Sequence, residues 1–487
     1  MKGLDLREAI AQSPGCIGLM LWQCDTIVSM VRAAIIGLLF VLGLLGQSSD
    51  EDYKVYTDSP RLFLRPQRAR LLKRERERDS IRWRQFNTLA GGGALMPEPG
   101  FAYALYYFVS GDISYAKKAA EWATSPSGTD IRQLALIYDW CGSTLSPSQK
   151  ANIFNKLKRI ASDKGLPKNV LAARDRVLAA TAIASEESEL SEQCNRLIVR
   201  DWFRGKVIPS LKEGVNLIGR DDMHLLYEIM HVLRDNTSID LREDSKEVFK
   251  DLPVWHLLSH YPATYPSAEN EYRIPVYTGN GEPDLKIATL SRAAELMMVS
   301  YDNNALESQY VQGWLMQDRF LLRSTLGIPY EFMWANPYQP GLPYFKLNPF
   351  FHDKNRGILF VRSSWEDDAR WFGYFEGQIQ LFEEGQVRKV KLDAFEKPFQ
   401  MGGSVIQAAH AVNQFKAGSE EEQSAVFFLG MKPREAAEVE VDDQEMEEVT
   451  ADPGGILVLQ FPPQPPTGVR MRRLGVKTPT GASPVGR

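Results

Sequence analysis

The segment "EGVNLIGRDDMHLLYEIMH" carries side chains that could bind a carboxylate and move a proton. Asn216 and Arg220 supply N–H donors, and His224 can take up or release a proton near neutral pH. His224, Tyr227 and His231 recur at i, i+3 and i+7, so they share one face of a predicted helix. The apolar neighbours of Tyr227 and His231 favour packing for those two, which leaves His224 as the candidate for chemistry.

A second segment, "ENEYRIPVYTGNGEP", supplies Tyr272, Arg273 and Tyr277. A tyrosine can act as both base and acid where nearby positive charge lowers its pKa. Asn, His or Arg can neutralise a carboxylate by hydrogen bonds and charge. The two segments together contain the residue types needed to abstract a proton beside a carboxylate and expel a glycosidic oxygen.

A carboxylate pair is the alternative. Glu213 with Asp221 or Asp222 could hydrolyse a glycosidic bond, one group as acid and the other as base or nucleophile. The separation of these carboxylates is a tertiary property, so both chemistries stay open at this point.

Composition and charge exclude several other classes. The chain has 487 residues, 44% hydrophobic and 24% charged, with a net charge of −5, which does not favour a nucleic-acid-binding protein. No nucleophile elbow, phosphate-binding loop or dinucleotide fingerprint occurs, and no cofactor is expected. No Cys-x-x-Cys or His/Cys cluster indicates a metal, His256 and His260 are expected to be structural, and the pairing of Cys141 with Cys194 is left open.

The N-terminus predicts export. Arg32 precedes the apolar run "AAIIGLLFVLGLLG", which suits the core of a signal peptide and is short for a membrane span. Met30 is a plausible true start, and cleavage is expected near Gly46 or Gln47. The predicted location is periplasmic or secreted, with no stable membrane anchor after cleavage.

In the rest of the chain, the spacing of apolar residues changes once, from a helical to a strand pattern. Amphipathic patterns at helical spacing run from about residue 60 to 335, and short β-branched or aromatic runs follow a Pro- and Asn-rich stretch near residue 340. This order predicts a helical domain and then an antiparallel β-sandwich. The expected division is a leader (1–46), a helical domain (50–338), a β domain (339–461) and a disordered tail (462–487).

Several stretches in this order resemble the heparinase II/III-like polysaccharide lyases. They are "DSPRLFLRPQRARLL", "LALIYDWCGSTLSPSQKANI", "LLYEIMHVLRDNTSIDLRED" with "VWHLLSHYP", and "GILFVRSSWEDDARWFGYFEG". The resemblance implies an incomplete (α/α) toroid followed by an antiparallel β-sandwich. That family pairs an Asn or His early in one helix with a loop Tyr some fifty residues on. The resemblance therefore implies Tyr277 as acid/base and His224 as carboxylate neutraliser or second base. The residues expected to help bind substrate are Asn216, Arg220, Tyr272 and Arg273.

The chain departs from the family at one motif. Where the family has His-x-His-x-Asp in the sandwich, this sequence reads "KVKLDAF", with Lys389 and Lys391 in the histidine positions. Lysine is protonated near neutral pH and is a poor metal ligand, so no metal site is expected there. Both lysines are instead predicted to contact the carboxylate of a uronic acid.

The sequence thus predicts an exported protein that cleaves an acidic, uronate-containing polysaccharide by β-elimination. Two alternatives remain: a degenerate homologue that binds glycan without turnover, and a toroid glycoside hydrolase.

Overall fold

The computed structural model describes residues 51–475, except for 269, 280, 319–321, 412–413, 422 and 445. The predicted leader and its signal peptide, and residues 476–487, therefore lie outside the described residues. Residues from Tyr53 onward belong to one compact unit. No helix in the described part of the chain is both long and apolar enough to cross a membrane.

The first part of this unit is helical. Its α-helices are α1 (Pro66–Glu77), α2 (Ile81–Phe86), α3 (Pro99–Ser110), α4 (Ile113–Thr124), α5 (Ile131–Cys141), α6 (Pro147–Ala161), α7 (Val170–Ala182), α8 (Ser188–Arg196), α9 (Ile208–Lys212), α10 (Met223–Thr237), α11 (Lys246–Leu258), α12 (Leu285–Tyr301), α13 (Leu306–Gln317) and α14 (Ile328–Trp334). A π-helical stretch, Leu197–Val207, joins α8 to α9. The helix starts follow local chemistry: Ser146 and Gln149 form a capping box at α6, ahead of Pro147.

The helices form two layers. Inner helices α3, α5, α7, α10, α12 and α14 contact one another in that order, and α14 contacts α3, so the ring closes. Helices α4, α6, α8, α11 and α13 pack between or behind them. This arrangement confirms the predicted helical toroid.

One detail of the helical domain was not predicted. A two-stranded hairpin, β1 (His260–Pro266) and β2 (Glu271–Pro275), stands between α11 and α12. The sequence suggested only a loop here, because prolines and polar residues interrupt the strand pattern.

The second part is built from three sheets. Their strands are β3 (Phe350–Asp353), β4 (Ile358–Arg362), β5 (Trp371–Phe375), β6 (Gln378–Glu383), β7 (Gln386–Val390), β8 (Phe399–Met401), β9 (Ser404–Ala408), β10 (Gln414–Ala417), β11 (Ser424–Leu429), β12 (Ala436–Val441), β13 (Glu447–Thr450), β14 (Leu457–Phe461) and β15 (Thr467–Gly475). The sheet orders are β3-β4-β5-β6-β7, β14-β11-β9-β8 and β10-β15-β12-β13. All pairings are antiparallel except β9 with β11, so the predicted antiparallel β-rich domain is confirmed with one parallel exception.

The sheets stack as layers on the toroid. In β11, Phe427 packs in a core with the first sheet, whereas its neighbour Phe428 packs in a core with the third. In β5, Phe372 faces the second sheet, whereas Trp371 packs in the core of the toroid. Strands β4, β5 and β6 are therefore covered on both faces and read as apolar runs for that reason, whereas β7 at the edge of the sheet is largely exposed.

The disordered tail predicted for residues 462–487 includes a strand of the β domain. Residues Thr467–Gly475 form β15, which pairs with both β10 and β12 in the middle of its sheet. Its side chains Val469 and Met471 are buried there. The Pro-rich stretch before it had suggested disorder from residue 462, but neighbouring strands supply the hydrogen bonds that a lone strand lacks.

Both cysteines of the described chain, Cys141 and Cys194, are buried and unpaired. Burial raises the pKa of each thiol to about 12. The pairing left open by the sequence is therefore absent from this structure.

A buried ionic network joins the inner ring. Glu228 of α10 is fully buried, and its carboxylate accepts from Arg132 of α5 (2.5 Å) and Arg174 of α7 (2.9 Å). Arg132 also contacts Glu98 at 3.0 Å, and Glu98 accepts from the Tyr330 hydroxyl of α14 at 2.8 Å. Burial by itself raises the pKa of Glu228, but the two arginines outweigh it and lower that pKa.

We expect Glu228→Gln to lower the free energy of unfolding by about 3–5 kcal/mol, because it leaves two buried guanidinium groups short of a counter-charge. Glu192→Gln is the matched control, since Glu192 makes an exposed i,i+4 pair with Arg196 that is worth about 0.3–0.5 kcal/mol. Urea unfolding followed by circular dichroism measures both. Equal losses in the two variants would contradict the role of this network.

Candidate functional site

The loop after β2 is held against the first sheet of the β domain. Gln380 of β6 accepts from the Tyr261 hydroxyl at 2.7 Å and donates to the carbonyl of Tyr277 at 2.8 Å. Lys389 of β7 donates to the carbonyl of Thr278 at 2.6 Å. These bonds fix the position of Tyr277 at the junction of toroid and sheet.

The same junction is anchored by a tryptophan. The Trp371 indole donates to the carbonyl of Leu258 at 2.8 Å and lies over Gly373, where a Cβ would come within 2.2 Å of the ring. The Tyr261 ring packs edge-on against Trp371 and stacks on Phe382. The absent side chain at Gly373 thus lets the indole cross the sheet face and reach the toroid.

A cleft of about 820 Å³ opens at this junction. We call it the junction cleft. The toroid contributes one wall and strands β4 and β5, with the turns around them, contribute the other. Its polar and charged lining residues include Asn216, Arg220, Asp221, Asp222, Tyr277, Glu282, Asp284, Arg356 and Glu376.

A second cavity, of about 840 Å³, lies beside the junction cleft and shares Tyr277 and Glu282 with it. Lys389 and Gln380 line this second cavity from the sheet side. Tyr277 therefore stands in the wall of both spaces, and its hydroxyl donates to the carbonyl of Gly281 at 3.0 Å.

Three of the residues predicted from the sequence meet in the junction cleft: Asn216, Arg220 and Tyr277. His224 does not line this cleft. Its Nδ1 lies 3.1 Å from the carbonyl oxygen of Asp221. Burial lowers the pKa of His224 to about 4, although the nearby Glu228 charge opposes the shift. The expected pairing of His224 with Tyr277 is thus not seen in the cleft lining.

The remaining predicted contacts lie elsewhere. Tyr272 is buried in the toroid core. Arg273 forms ion pairs with Asp318 at 3.0 Å and Asp367 at 2.7 Å, so its charge is already compensated. Lys391 is exposed just after β7 and lines neither cavity.

Arg220 connects the cleft wall to a buried polar network. Its guanidinium donates to the hydroxyls of Ser259 (2.7 Å) and Ser291 (2.5 Å) and to the carbonyl of His256 (3.2 Å). Its Nη2 also lies 2.9 Å from Nε2 of His260. No carboxylate among the described residues bonds Arg220 directly, and burial lowers its pKa to about 10.

Behind Arg220, His256, His260 and Glu295 place ligand-type atoms within 4.8 Å of one another. By type and spacing these three side chains could hold a divalent cation, a possibility that the sequence reading missed at "HLLSH". However, Nη2 of Arg220 lies 2.9 Å from Nε2 and 3.0 Å from Nδ1 of His260, and that Nδ1 lies 2.9 Å from the carbonyl oxygen of His256. A guanidinium at this distance repels a cation, and the cluster fits a hydrogen-bonded network better than a metal centre.

The network continues away from the cleft. Nε2 of His256 lies 2.9 Å from Glu295, whose other oxygen accepts from Arg292 at 2.8 Å. Burial lowers the pKa of His256 to about 4, with Arg220 adding to the effect. The histidine is therefore neutral at neutral pH, with its proton on Nε2 facing the carboxylate.

The junction cleft also contains a group of carboxylates, and two of them have raised pKa values. Burial raises the pKa of Asp221, and the charge of Asp284 adds to the shift while Arg220 opposes it. Asp284 caps α12 and accepts from the backbone N–H groups of Lys286 and Ile287, a position that favours negative charge. Burial also raises the pKa of Asp222.

The alternative pair named from the sequence is changed by the structure. Glu213 is exposed and does not line the junction cleft, whereas Asp221 and Asp222 do. Asp284, Glu282 and Glu376 were missed. The N-cap pattern of Asp284 before "LKIATL" could have revealed its helix-terminal position, but nothing local indicates that it meets Asp221.

Comparisons with known proteins do not assign this chain to a family. No protein-family model matches the chain, and no curated protein matches its sequence. Among solved structures, one described as a glycoside hydrolase matches with a TM-score of 0.31 and 10% identity, covering 77% of this chain and 71% of that chain. A GH127 β-arabinofuranosidase matches with a TM-score of 0.28 and 8% identity, covering 88% and 82%. Likenesses this weak carry no argument about activity, and the resemblance to heparinase II/III-like lyases stays a prediction from sequence.

The buried histidines predict acid sensitivity. The unfolded chain protonates His256 near pH 6.5, whereas the folded protein does so only near 4. Stability therefore falls as pH drops from about 6.5 to about 4, by at most about 1.4 kcal/mol per pH unit for this residue. We expect His256→Gln, which keeps a donor toward Glu295, to flatten that slope.

His410→Gln provides the control, because the His410 side chain is about half exposed (48%). Urea unfolding at several pH values between 4 and 7 measures the slopes. Parallel slopes for wild type and His256→Gln would show that this histidine does not titrate as proposed.

Proposed function

We propose that this chain is a glycoside hydrolase whose acid and base are Asp221 and Asp284 in the junction cleft. The observation that carries the proposal is the contrast between these two carboxylates. Partial burial and the Asp284 charge raise the pKa of Asp221 although Arg220 opposes the shift, whereas Asp284 caps α12 and accepts from two backbone N–H groups. Neighbouring carboxyl groups in contrasting environments support an acid and base pair.

In this proposal Asp221 donates its proton to the glycosidic oxygen as the bond to the anomeric carbon breaks. Asp284 either removes a proton from the attacking water or attacks the anomeric carbon itself. In the second case water later releases the sugar, and Asp221 takes the proton of that water. The covalent route returns both carboxyl groups to their starting states. The direct route leaves Asp221 ionised and Asp284 protonated, and exchange of one proton with solvent at each group restores the starting states.

The charge of the cleft favours a neutral glycan over an acidic one. Five carboxylates line it: Asp221, Asp222, Glu282, Asp284 and Glu376. Only two cationic side chains oppose them in the described lining. Arg220 is held by its buried network, and Arg356 contacts Asp353 at 2.6 Å. A uronate carboxylate would therefore meet repulsion in this cleft.

The second candidate is β-elimination on an acidic polysaccharide with Tyr277 as acid/base. The position of Tyr277 in the wall of both cavities favours it, as does Lys389 in the neighbouring cavity. Against it, the Tyr277 hydroxyl donates to the carbonyl of Gly281, which does not stabilise a phenolate. Export into the periplasm or medium, where polymeric glycans occur, remains part of the proposal.

For the hydrolase, we expect Asp221→Asn to lower kcat about 10²–10⁴-fold on unactivated glycosides, since protonation of the leaving group is lost. The loss should be smaller on 4-nitrophenyl glycosides, whose leaving group needs little protonation. A panel of neutral oligosaccharides, with release of reducing ends as readout, measures it. Activity should also fall as pH rises through the raised pKa of Asp221.

Asp284→Asn should cause a comparable or larger loss on both substrate types, and asparagine keeps the helix cap. Glu213→Gln is the control and should leave rates unchanged. Reducing ends released equally by wild type and both Asp variants would overturn the assignment. Absorbance near 230 nm from an unsaturated uronate, lost in Tyr277→Phe, would instead establish the lyase.

A further inference from the structure

A third cavity, of about 510 Å³, lies next to the junction cleft and differs from it in character. Its inner wall is apolar, formed by Phe203, Met223, Leu226, Phe249, Trp255 and Phe351. We call it the side cavity. Phe203, Met223, Leu226, Phe249 and Trp255 are each no more than 5% exposed, so the cavity reaches into the toroid core.

Three polar residues beside this cavity are already paired, whereas Glu247, Asp251, Lys354 and Asn355 also line it and are exposed to solvent. His352 contacts Asp452 at 2.7 Å, and Arg356 contacts Asp353 at 2.6 Å. Asn216 accepts from the backbone N–H of Ile218 at 3.0 Å. What the inner wall offers a ligand is therefore apolar surface, and its volume falls in the range of about 300–1,000 Å³ typical of small-molecule sites.

The side cavity shares part of its wall with the junction cleft. Asn216, Trp255 and Arg356 line both spaces. The Arg356 guanidinium lies 5.1 Å from the centre of the Trp255 ring, so this pair stands where the two spaces meet. A molecule with a sugar in the cleft could extend an attached group past Trp255 into the side cavity.

We propose that the side cavity binds the apolar part of a glycoside whose sugar occupies the junction cleft. The substrate class is therefore a glycoside with an alkyl or aryl aglycone, or a glycan carrying such a substituent. This inference rests on the proposed function for the role of the cleft. Burial of each methylene in the side cavity strengthens binding, because it removes apolar surface from water.

Binding of octyl and methyl β-glucosides to the full chain, by titration calorimetry below the micelle concentration, tests the proposal. The sugar is the same in both, so the ratio of affinities reports the alkyl group alone. We expect the octyl glycoside to bind at least tenfold more tightly. Equal affinities would overturn the proposal.

Leu211→Trp places an indole in the side cavity and should bring the ratio close to one. Leu171→Trp is the matched control, since Leu171 is 43% exposed and outside the cavity. Should Leu211→Trp fail to fold by circular dichroism, Phe249→Ala serves instead, because it enlarges the cavity and should shift the preference toward decyl over octyl glucoside. Two outcomes would contradict the proposal, because each would place the alkyl group elsewhere. One is an octyl preference that is unchanged in a folded Leu211→Trp protein. The other is a chain-length preference that is unchanged in Phe249→Ala.

The same titrations in Asp221→Asn separate this inference from the hydrolase proposal. An octyl preference without any hydrolysis by wild type would refute the hydrolase and keep the side cavity. Hydrolysis of neutral oligosaccharides without an octyl preference would refute the side cavity alone.

Discussion

The toroid depends on one buried carboxylate. Glu228 has no solvent contact and lies between Arg132 and Arg174, which come from two other inner helices. Two buried guanidinium groups without that carboxylate would carry a desolvation cost of several kcal/mol each, so the inner helices are constrained to the arrangement in which all three meet. Arg132 extends the constraint to Glu98 and through it to Tyr330 of the last inner helix.

A second buried network, nearer the cleft, also constrains how segments of the toroid pack. Arg220, His256 and Glu295 belong to three separate segments, and their contacts fix the cleft wall against α11 and α12. The histidines there are kept neutral by burial, so they hold these segments in place without adding charge. Arg220 in the cleft wall is bonded by hydroxyls and a carbonyl, which leaves the carboxylates to set the sign of the field in the cleft.

The candidate site lies at the junction of the toroid and the first sheet, where these constraints fix its walls. Trp371 reaches the toroid backbone, and Gln380 holds the loop that carries Tyr277. Strands β4, β5 and β6 place side chains both in the core of the toroid and in the core shared with the second sheet, so they are anchored on both faces. The cleft and the side cavity thus have walls from both parts of the chain, as binding sites between packed elements commonly do.

The sequence by itself determined the fold class. Capping at Ser146, the helical spacing of apolar residues and the β-branched runs after residue 350 are local signals, and each led to the element that the structure contains. Local signals failed where partners were distant. The supposed tail contains β15, whose hydrogen bonds come from β10 and β12.

For the candidate site, the sequence found Asn216, Arg220, Tyr277 and Asp221 as residue types, but not their surroundings. Only the tertiary structure decided that Arg273 is neutralised by Asp318 and Asp367, that His224 lies outside the cleft lining, and that Asp284 and Asp221 line the same cleft. The reason is physical. The charge and availability of a side chain depend on its burial and on its nearest partners, and those partners are set by packing between segments far apart in the chain.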